Sequence, residues 1–197
     1  MNSPLYVLAS KSPRRHALLQ RLNIDFRIED PDIQEVIPSY VTGYERVVFL
    51  SQQKAIQIGL LNAMEIVIAA DTMVILGGKE FGKPKDEKEA MDILKALSGK
   101  EHEVVTGVTL RSNQDTHSFY CVSRVLFGDL SADSISEYIK KYEPFDKAGS
   151  YGIQDCLGEN GEKTGPLDMW LTKGSYSNVL GLPVDQLEKE LKHFTDL

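Results

Sequence analysis

The chain has 197 residues and a mass of 22.0 kDa, 42% of them hydrophobic and 26% charged, enough to bury a core as one domain or two tightly joined lobes. A formal net charge of -7 and a pI near 5.2 oppose a phosphate backbone, so nonspecific nucleic-acid binding is not expected, although a local basic pocket for one small anion is compatible. No run approaches the roughly 20 apolar residues that span a bilayer, the first residues lack the pattern of a signal peptide, and two cysteines, Cys121 and Cys156, are too few for a disulfide framework; a cytoplasmic protein with buried or idle thiols is expected.

In chain order, "YVLASKSPRRHALLQRL" (Tyr6–Leu22) reads as a strand that breaks at two serines and a proline and continues as a helix. Asp25–Glu29 predicts a second strand, and Asp30–Val41 a polar loop long enough to suggest a functional role. "TGYE" (Thr42–Glu45) has capping-box spacing and predicts a helix to about Asn62. "EIVIAADTMVIL" (Glu65–Leu76) is rich in β-branched residues and predicts a buried strand interrupted by Asp71. A turn at "GG" comes next, then a helix capped by "DEKE" (Asp86–Glu89) and stopped at Ser98–Gly99. Alternation about "NQD" predicts a long hairpin, Ser131–Lys141 a short helix, "DMWLTKGSYSNVLGL" a second hairpin, and Pro183–Phe194 a closing helix with proline at its start. Strands alternating with helices, plus hairpins, indicate α/β with a mixed sheet.

Pro13 suits the first turn of a helix, where its missing N–H would have no partner. Ser10 and Ser12 therefore stand just before a helix N-terminus, whose N–H groups and positive dipole end attract anions. Arg14 and Arg15 add planar forks that match phosphate oxygens. The competing reading makes Ser12 a plain N-cap and the arginines solvated. "GGKEFGKP" (Gly77–Pro84) satisfies the spacing G-x-x-x-x-G-K of a phosphate loop, but Pro84 replaces the Ser or Thr that would hold Mg²⁺ and lacks an N–H. A hairpin turn at Gly77–Gly78 is the better reading. Asp71, at the end of the apolar run "IVIAA", is either a metal ligand, a paired carboxylate or base, or a satisfied turn aspartate. Lys54 and Lys83 are ordinary lysines in isolation, and the four histidines show no ligand spacing.

Six stretches occur in a shared order: "LASKSPRR", "AADTMV", "GKP", "LSGKEHEVVTGV", "EPFDKAGSYGIQ" and "NVLGLPV". In that order and spacing the chain resembles the Maf family of nucleoside triphosphate pyrophosphatases over nearly its whole length. The resemblance implies one domain over residues 1–197 with an inosine-triphosphate-pyrophosphatase-like (Maf/anvil) α/β fold: an elongated mixed sheet, two lobes flanking a central cleft, and usually a homodimer. It implies hydrolysis of a nucleoside triphosphate between the α and β phosphates with Mg²⁺ or Mn²⁺. It assigns Ser10, Ser12, Arg14 and Arg15 to the phosphates, Lys54 and Lys83 to neutralising charge, and Asp71 to catalysis as metal ligand or base. Glu35 would stand near the metal and the attacking water, and Lys147 and Gln154 would help hold the base or phosphates.

"ADTMV" with "DKAGSYGIQ" is similar to the branch that prefers dTTP and UTP, rather than the one that prefers 7-methyl-GTP. Two departures stand out: Gln34 where many members carry a second acidic residue, and Asp155 with "CLGENGEKTGPL" where a glycine and a shorter connector are usual. The connector reads as a surface insertion rather than a lid. The rival from another class is a nucleotide-binding cell-division regulator with residual hydrolysis.

Overall fold

The computed structural model describes residues 4–195. Its elements are β1 (Leu5–Ala9), α1 (Pro13–Gln20), β2 (Phe26–Glu29), α2 (Glu45–Gln57), β3 (Glu65–Leu76), β4 (Lys79–Phe81), α3 (Glu87–Leu97), β5 (Glu101–Arg111), β6 (Thr116–Phe127), α4 (Ala132–Tyr142), β7 (Met169–Lys173), α5 (Tyr176–Leu180) and α6 (Val184–Thr195). Three single 3₁₀ turns lie between residues 144 and 155. The strands form a seven-stranded sheet in the order β2-β1-β3-β5-β6-β7, with β4 on β3. β1 pairs in parallel with both β2 and β3, whereas β3–β4 and β6–β7 are antiparallel. The α/β mixed sheet expected from the sequence is therefore present.

The chain divides into two compact units: residues 1–71, 106–121 and 181–197, and residues 72–105 and 122–180. The first is a parallel βαβ arrangement. Its centre, Val7–Ala9 of β1 and Ile66–Ala70 of β3, reads as unbroken Val, Leu, Ile and Ala because both faces of a parallel sheet are covered; Val7, Ala9, Val67 and Ala69 pack with Ala55 and Ile58 of the α2 region. α2 approaches β5 at Gly107, where a Cβ would stand 2.5 Å from the Val47 carbonyl carbon and 2.7 Å from the Val48 nitrogen. Arg111 closes the other end of the helix, donating through Nε to Ala55 O (2.9 Å) and through Nη2 to Ile58 O, so a cation satisfies carbonyls left over at the helix C-terminus. The second unit has its own core, in which Leu94, Val104, Phe127, Ile135, Tyr138 and Tyr151 are buried together.

Several boundaries differ from the sequence expectation. α2 starts at Glu45, with Tyr44 as a helical N-cap whose side chain makes no capping hydrogen bond, so the Thr42–Glu45 capping box does not form; the helix ends at Gln57, where Ile58 turns extended. β3 is continuous through Asp71. The expected second hairpin is β7 followed by the short helix α5: Ser175 Oγ accepts the Asn178 N–H at 3.2 Å, and this N-cap turns the chain into a helix instead of a returning strand. "DEKE" does cap α3, Asp86 accepting the Glu89 N–H and Glu89 the Lys85 N–H, both at 2.8 Å. Gly77 and Gly78, at φ 57° and 82°, form the two-residue turn of the β3–β4 hairpin. Cys156 is buried and Cys121 half-buried, both as free thiols.

Candidate active site

In the first unit the parallel register decides which residues meet. Ala9 of β1 lies beside Glu29 of β2 and Ala69 of β3. The residues beyond each of these positions, Ser10–Arg15 after β1, Asp30–Glu35 after β2 and Asp71 two residues further along β3, therefore share one edge, the carboxyl ends of parallel strands where α/β sheets bind ligands.

At the β1–α1 turn the Ser12 N–H donates to Ser10 Oγ (3.1 Å), and His16 Nε2 lies 2.7 Å from Ser10 O. Pro13 is the first helical residue, and Ser12, the N-cap residue, makes no capping bond with its side chain. The plain-cap reading of Ser12 thus lacks its hydrogen bond. The Ser10 hydroxyl, accepting from Ser12, keeps its own proton for an oxygen acceptor. Arg15 Nε donates to the Gly181 carbonyl (2.8 Å), which fixes its fork at the start of α1. Removal from water pulls the Arg15 guanidinium below its ordinary value; Asp71 opposes that fall, Arg14 adds to it, and Glu35 opposes it. Asp71, Arg14 and Glu35 thus all lie within electrostatic reach of Arg15.

Lys54, in the last turn of α2, joins the carboxylates: its Nζ lies 2.5 Å from Asp71 Oδ1 and 2.8 Å from Glu35 Oε1. The lysine side chain is 11% exposed and that of Asp71 15%, against 48% for Glu35. Asp71 is therefore not a turn aspartate but a mid-strand carboxylate whose burial is compensated by the ammonium that faces it. The long loop after β2 carries Glu35 onto the same ammonium. With Arg14 and Arg15 the cluster holds three cations against two carboxylates, and that excess suits a polyanionic ligand.

Among the described residues no group of three or more His, Cys, Asp or Glu side chains forms a metal-holding set. Two carboxylates converging on one cation do fit Mg²⁺, which is held by one or two carboxylates together with substrate phosphates and water. Gln34, beside Glu35, adds no charge.

The other expected site residues belong to the second unit. Lys83 is exposed and lies just past β4, while Lys147 is half-buried with Nζ 2.8 Å from Asp146 Oδ1. Their segments are stitched together by the Gly149 N–H, which donates to Gly82 O at 3.0 Å. Gln154 is exposed, its Nε2 donating to Asp155 Oδ1 at 2.8 Å. Sequence reasoning missed Tyr138. Its hydroxyl accepts the Gly152 N–H (2.9 Å) and donates to Asp155 Oδ2 (2.7 Å); a tyrosine on the apolar face of a helix signals that a partner is needed, but nothing in the sequence says which. The Gly181 carbonyl that holds Arg15 was equally invisible.

Two solved structures share the fold: a HAM1 protein from Coxiella burnetii, with a TM-score of 0.52 and 15% identity over 96% of this chain and 99% of that one, and the Ham1 protein of Staphylococcus aureus, with a TM-score of 0.50 and 16% identity over 98% of each. In sequence the chain is 44% identical over 189 residues to a Carboxydothermus hydrogenoformans protein (95% of this chain, 97% of that one) and 40% identical over 188 residues to one from Bacteroides fragilis (94% of each). Both relatives are named dTTP/UTP pyrophosphatase. Residues 6–194, nearly all of both units, match the Maf family, described as Maf-like protein, and the chain belongs to that family.

Proposed function

We propose that this protein is a nucleoside triphosphate pyrophosphatase that hydrolyses dTTP and UTP to the monophosphate and pyrophosphate. The carrying observation is the Glu35–Lys54–Asp71 cluster beside the Ser10–Arg15 turn, in a chain about 40% identical to relatives of that name. A pure binder of triphosphates needs the cations and the helix N-terminus but has no use for two carboxylates facing a phosphate site, and this disfavours the regulator reading.

In the reaction, Arg14, Arg15 and the α1 N-terminus hold the phosphate chain, with the Ser10 and Ser12 hydroxyls donating to its oxygens. A water attacks the α phosphorus as the bond to the bridging oxygen of the β phosphate breaks, and the water's proton passes to a carboxylate of the Asp71–Glu35 pair. The guanidiniums and the Lys54 ammonium stabilise the charge that collects on the departing pyrophosphate. Asp71 and Glu35 would also hold the divalent cation, Mg²⁺ or Mn²⁺, that the family uses; when bound it supplies Lewis-acid polarisation of phosphate oxygens. We assign Lys83, Lys147 and Gln154 to the substrate on the family motifs in which they stand, and read residues 1–197 as one functional domain because the family match runs through both units. Among the described residues no helix is long and apolar enough to cross a membrane; a cytoplasmic homodimer is the state we propose.

The test is pyrophosphate release with Mg²⁺ or Mn²⁺ from dTTP, UTP, CTP, GTP and 7-methyl-GTP, with Asp71→Asn in parallel. Turnover of dTTP and UTP that falls about a thousandfold in the variant is expected, the range of a lost general base. Turnover of 7-methyl-GTP alone would move the protein to the other branch, and binding without turnover would favour the regulator.

A further inference from the structure

We propose that Asp155, where the family pattern has glycine, is a positioning residue that fixes which end of the Gln154 amide meets the substrate, and so sharpens the preference for uracil and thymine over cytosine. The inference rests on the assignment of Gln154 to the nucleotide under the proposed function. An amide is nearly symmetric in shape, and rotation by half a turn exchanges a donor for an acceptor. Asp155 removes that freedom. An ionised carboxylate can only accept, so Oδ1 holds Gln154 through Nε2, at 2.8 Å, and the opposite rotamer would set two oxygens against each other. Asp155 is itself held: Oδ2 accepts from the hydroxyl of Tyr138, a fully buried side chain, and the same hydroxyl accepts from the Gly152 N–H. The amide folds back over Gly152, where a Cβ would stand 2.4 Å from Nε2 and 2.8 Å from Oε1, so glycine alone leaves it that place.

The consequence is a fixed order of donor and acceptor. Uracil and thymine present N3–H flanked by carbonyl oxygens; cytosine presents an acceptor at N3 and a donor at N4. An amide free to rotate serves both patterns, and an amide pinned through its nitrogen serves one.

The experiment compares kcat/KM for UTP and CTP in wild type, Asp155→Ala, Gln154→Ala and the double variant. Side-chain amide signals of Gln154 are followed by ¹⁵N NMR and assigned by their loss in Gln154→Ala. The expected result is a UTP-over-CTP preference that drops about tenfold in Asp155→Ala, the size of one hydrogen bond, and no further drop when Asp155→Ala is added to Gln154→Ala. The Gln154 side-chain amide should show a high order parameter from ¹⁵N relaxation in wild type and a low one in Asp155→Ala, because the contact restrains the torsion that carries the amide as a whole. Asp155→Asn, which keeps an acceptor, should retain most of the preference. An unchanged ratio in Asp155→Ala, an equal drop in the Gln154→Ala background, or a Gln154 amide order parameter already low in wild type would overturn the proposal. A wild type that shows the pinned amide but hydrolyses neither nucleotide would instead break the pyrophosphatase reading. Should Asp155→Ala fail to fold, Tyr138→Phe loosens the same carboxylate, and it should lower the Gln154 amide order parameter and the ratio in the same direction.

Discussion

Two stretches of this chain read as phosphate loops, and only one has the surroundings of one. Ser10–Arg15 runs from the end of β1 into α1, lacks the glycines and the Gly-Lys pair of the expected motif, carries two guanidiniums of its own and stands next to two carboxylates and an ammonium. Gly77–Lys83 has the glycines and the lysine and is a hairpin turn with an exposed lysine after it. The difference lies in how the chain leaves each strand. A parallel strand must be left by a crossover helix, so its end gathers a helix N-terminus and the ends of its parallel neighbours. An antiparallel hairpin simply returns, and its turn meets nothing but its own strand.

The strongest way to break this contrast is to remove the ammonium that unites the first region. Lys54→Met keeps the aliphatic stem but removes the ammonium that bridges Asp71 and Glu35, and takes one positive charge from the leaving group. We expect kcat to fall at least about a hundredfold, the range for a lost electrostatic donor, in steady-state pyrophosphate release. Unaltered turnover would mean that the cluster is not where the chemistry occurs.

Next in size is a change in the packing that delivers Lys54. Gly107→Ala would set a methyl 2.5 Å from the Val47 carbonyl carbon and 2.6 Å from its oxygen, atoms of the backbone that cannot swing aside. The helix must shift or the fold must bear the strain, and a loss of about 3 kcal/mol is expected, measured by urea denaturation. A variant of normal stability whose KM is unchanged would show that α2 does not depend on this approach.

How much of this was legible divides along the same line. Pro13 placed the start of α1, and the unbroken run "IVIAA" marked a doubly covered strand, because each signal is local. Asp71 stood out as a carboxylate in an apolar run, open between a metal ligand, a paired carboxylate or base and a turn aspartate, but its partner Lys54 is 17 residues away and carries no local mark; only the family motifs brought the two together. The capping-box spacing at Thr42–Glu45 misled because Tyr44 took the N-cap position. The second expected hairpin failed because Ser175 could cap a helix, which alternation of apolar residues does not report. Tyr138 and the Gly181 carbonyl act through tertiary contacts alone.

In the second unit a buried imidazole is held by a neutral hydroxyl instead of an ion pair, and pH probes it. His102 is 1% exposed, with Nε2 2.8 Å from the Tyr151 hydroxyl and its ring edge-on to Phe127; burial pushes the imidazole down to about 4. Below the ordinary value of 6.5 the unfolded chain binds a proton that the folded chain refuses until pH falls through about 4. Stability fully present above about 6.5 should therefore decline across that window, by on the order of 3 kcal/mol. Denaturation midpoints from pH 7 to 4 should show it, and His102→Gln, which keeps a hydrogen-bonding side chain but cannot titrate there, should flatten the slope. An equal slope in the variant would assign the acid sensitivity elsewhere.

The smallest effect makes the sharpest cut between the two loops. Gly77 is the first glycine of the phosphate-loop spacing and occupies φ 57° in the hairpin turn, with open space around the position of a Cβ. Gly77→Ala therefore meets no neighbour and costs only the left-handed backbone, about 1 kcal/mol. As a turn residue it should leave kcat and KM for dTTP and UTP unaltered while the melting temperature drops by a few degrees. A phosphate loop behaves in the opposite way, because a methyl beside the phosphates raises KM steeply while stability scarcely moves. The ratio of these two small numbers therefore separates a glycine kept for a hairpin from one kept for a nucleotide.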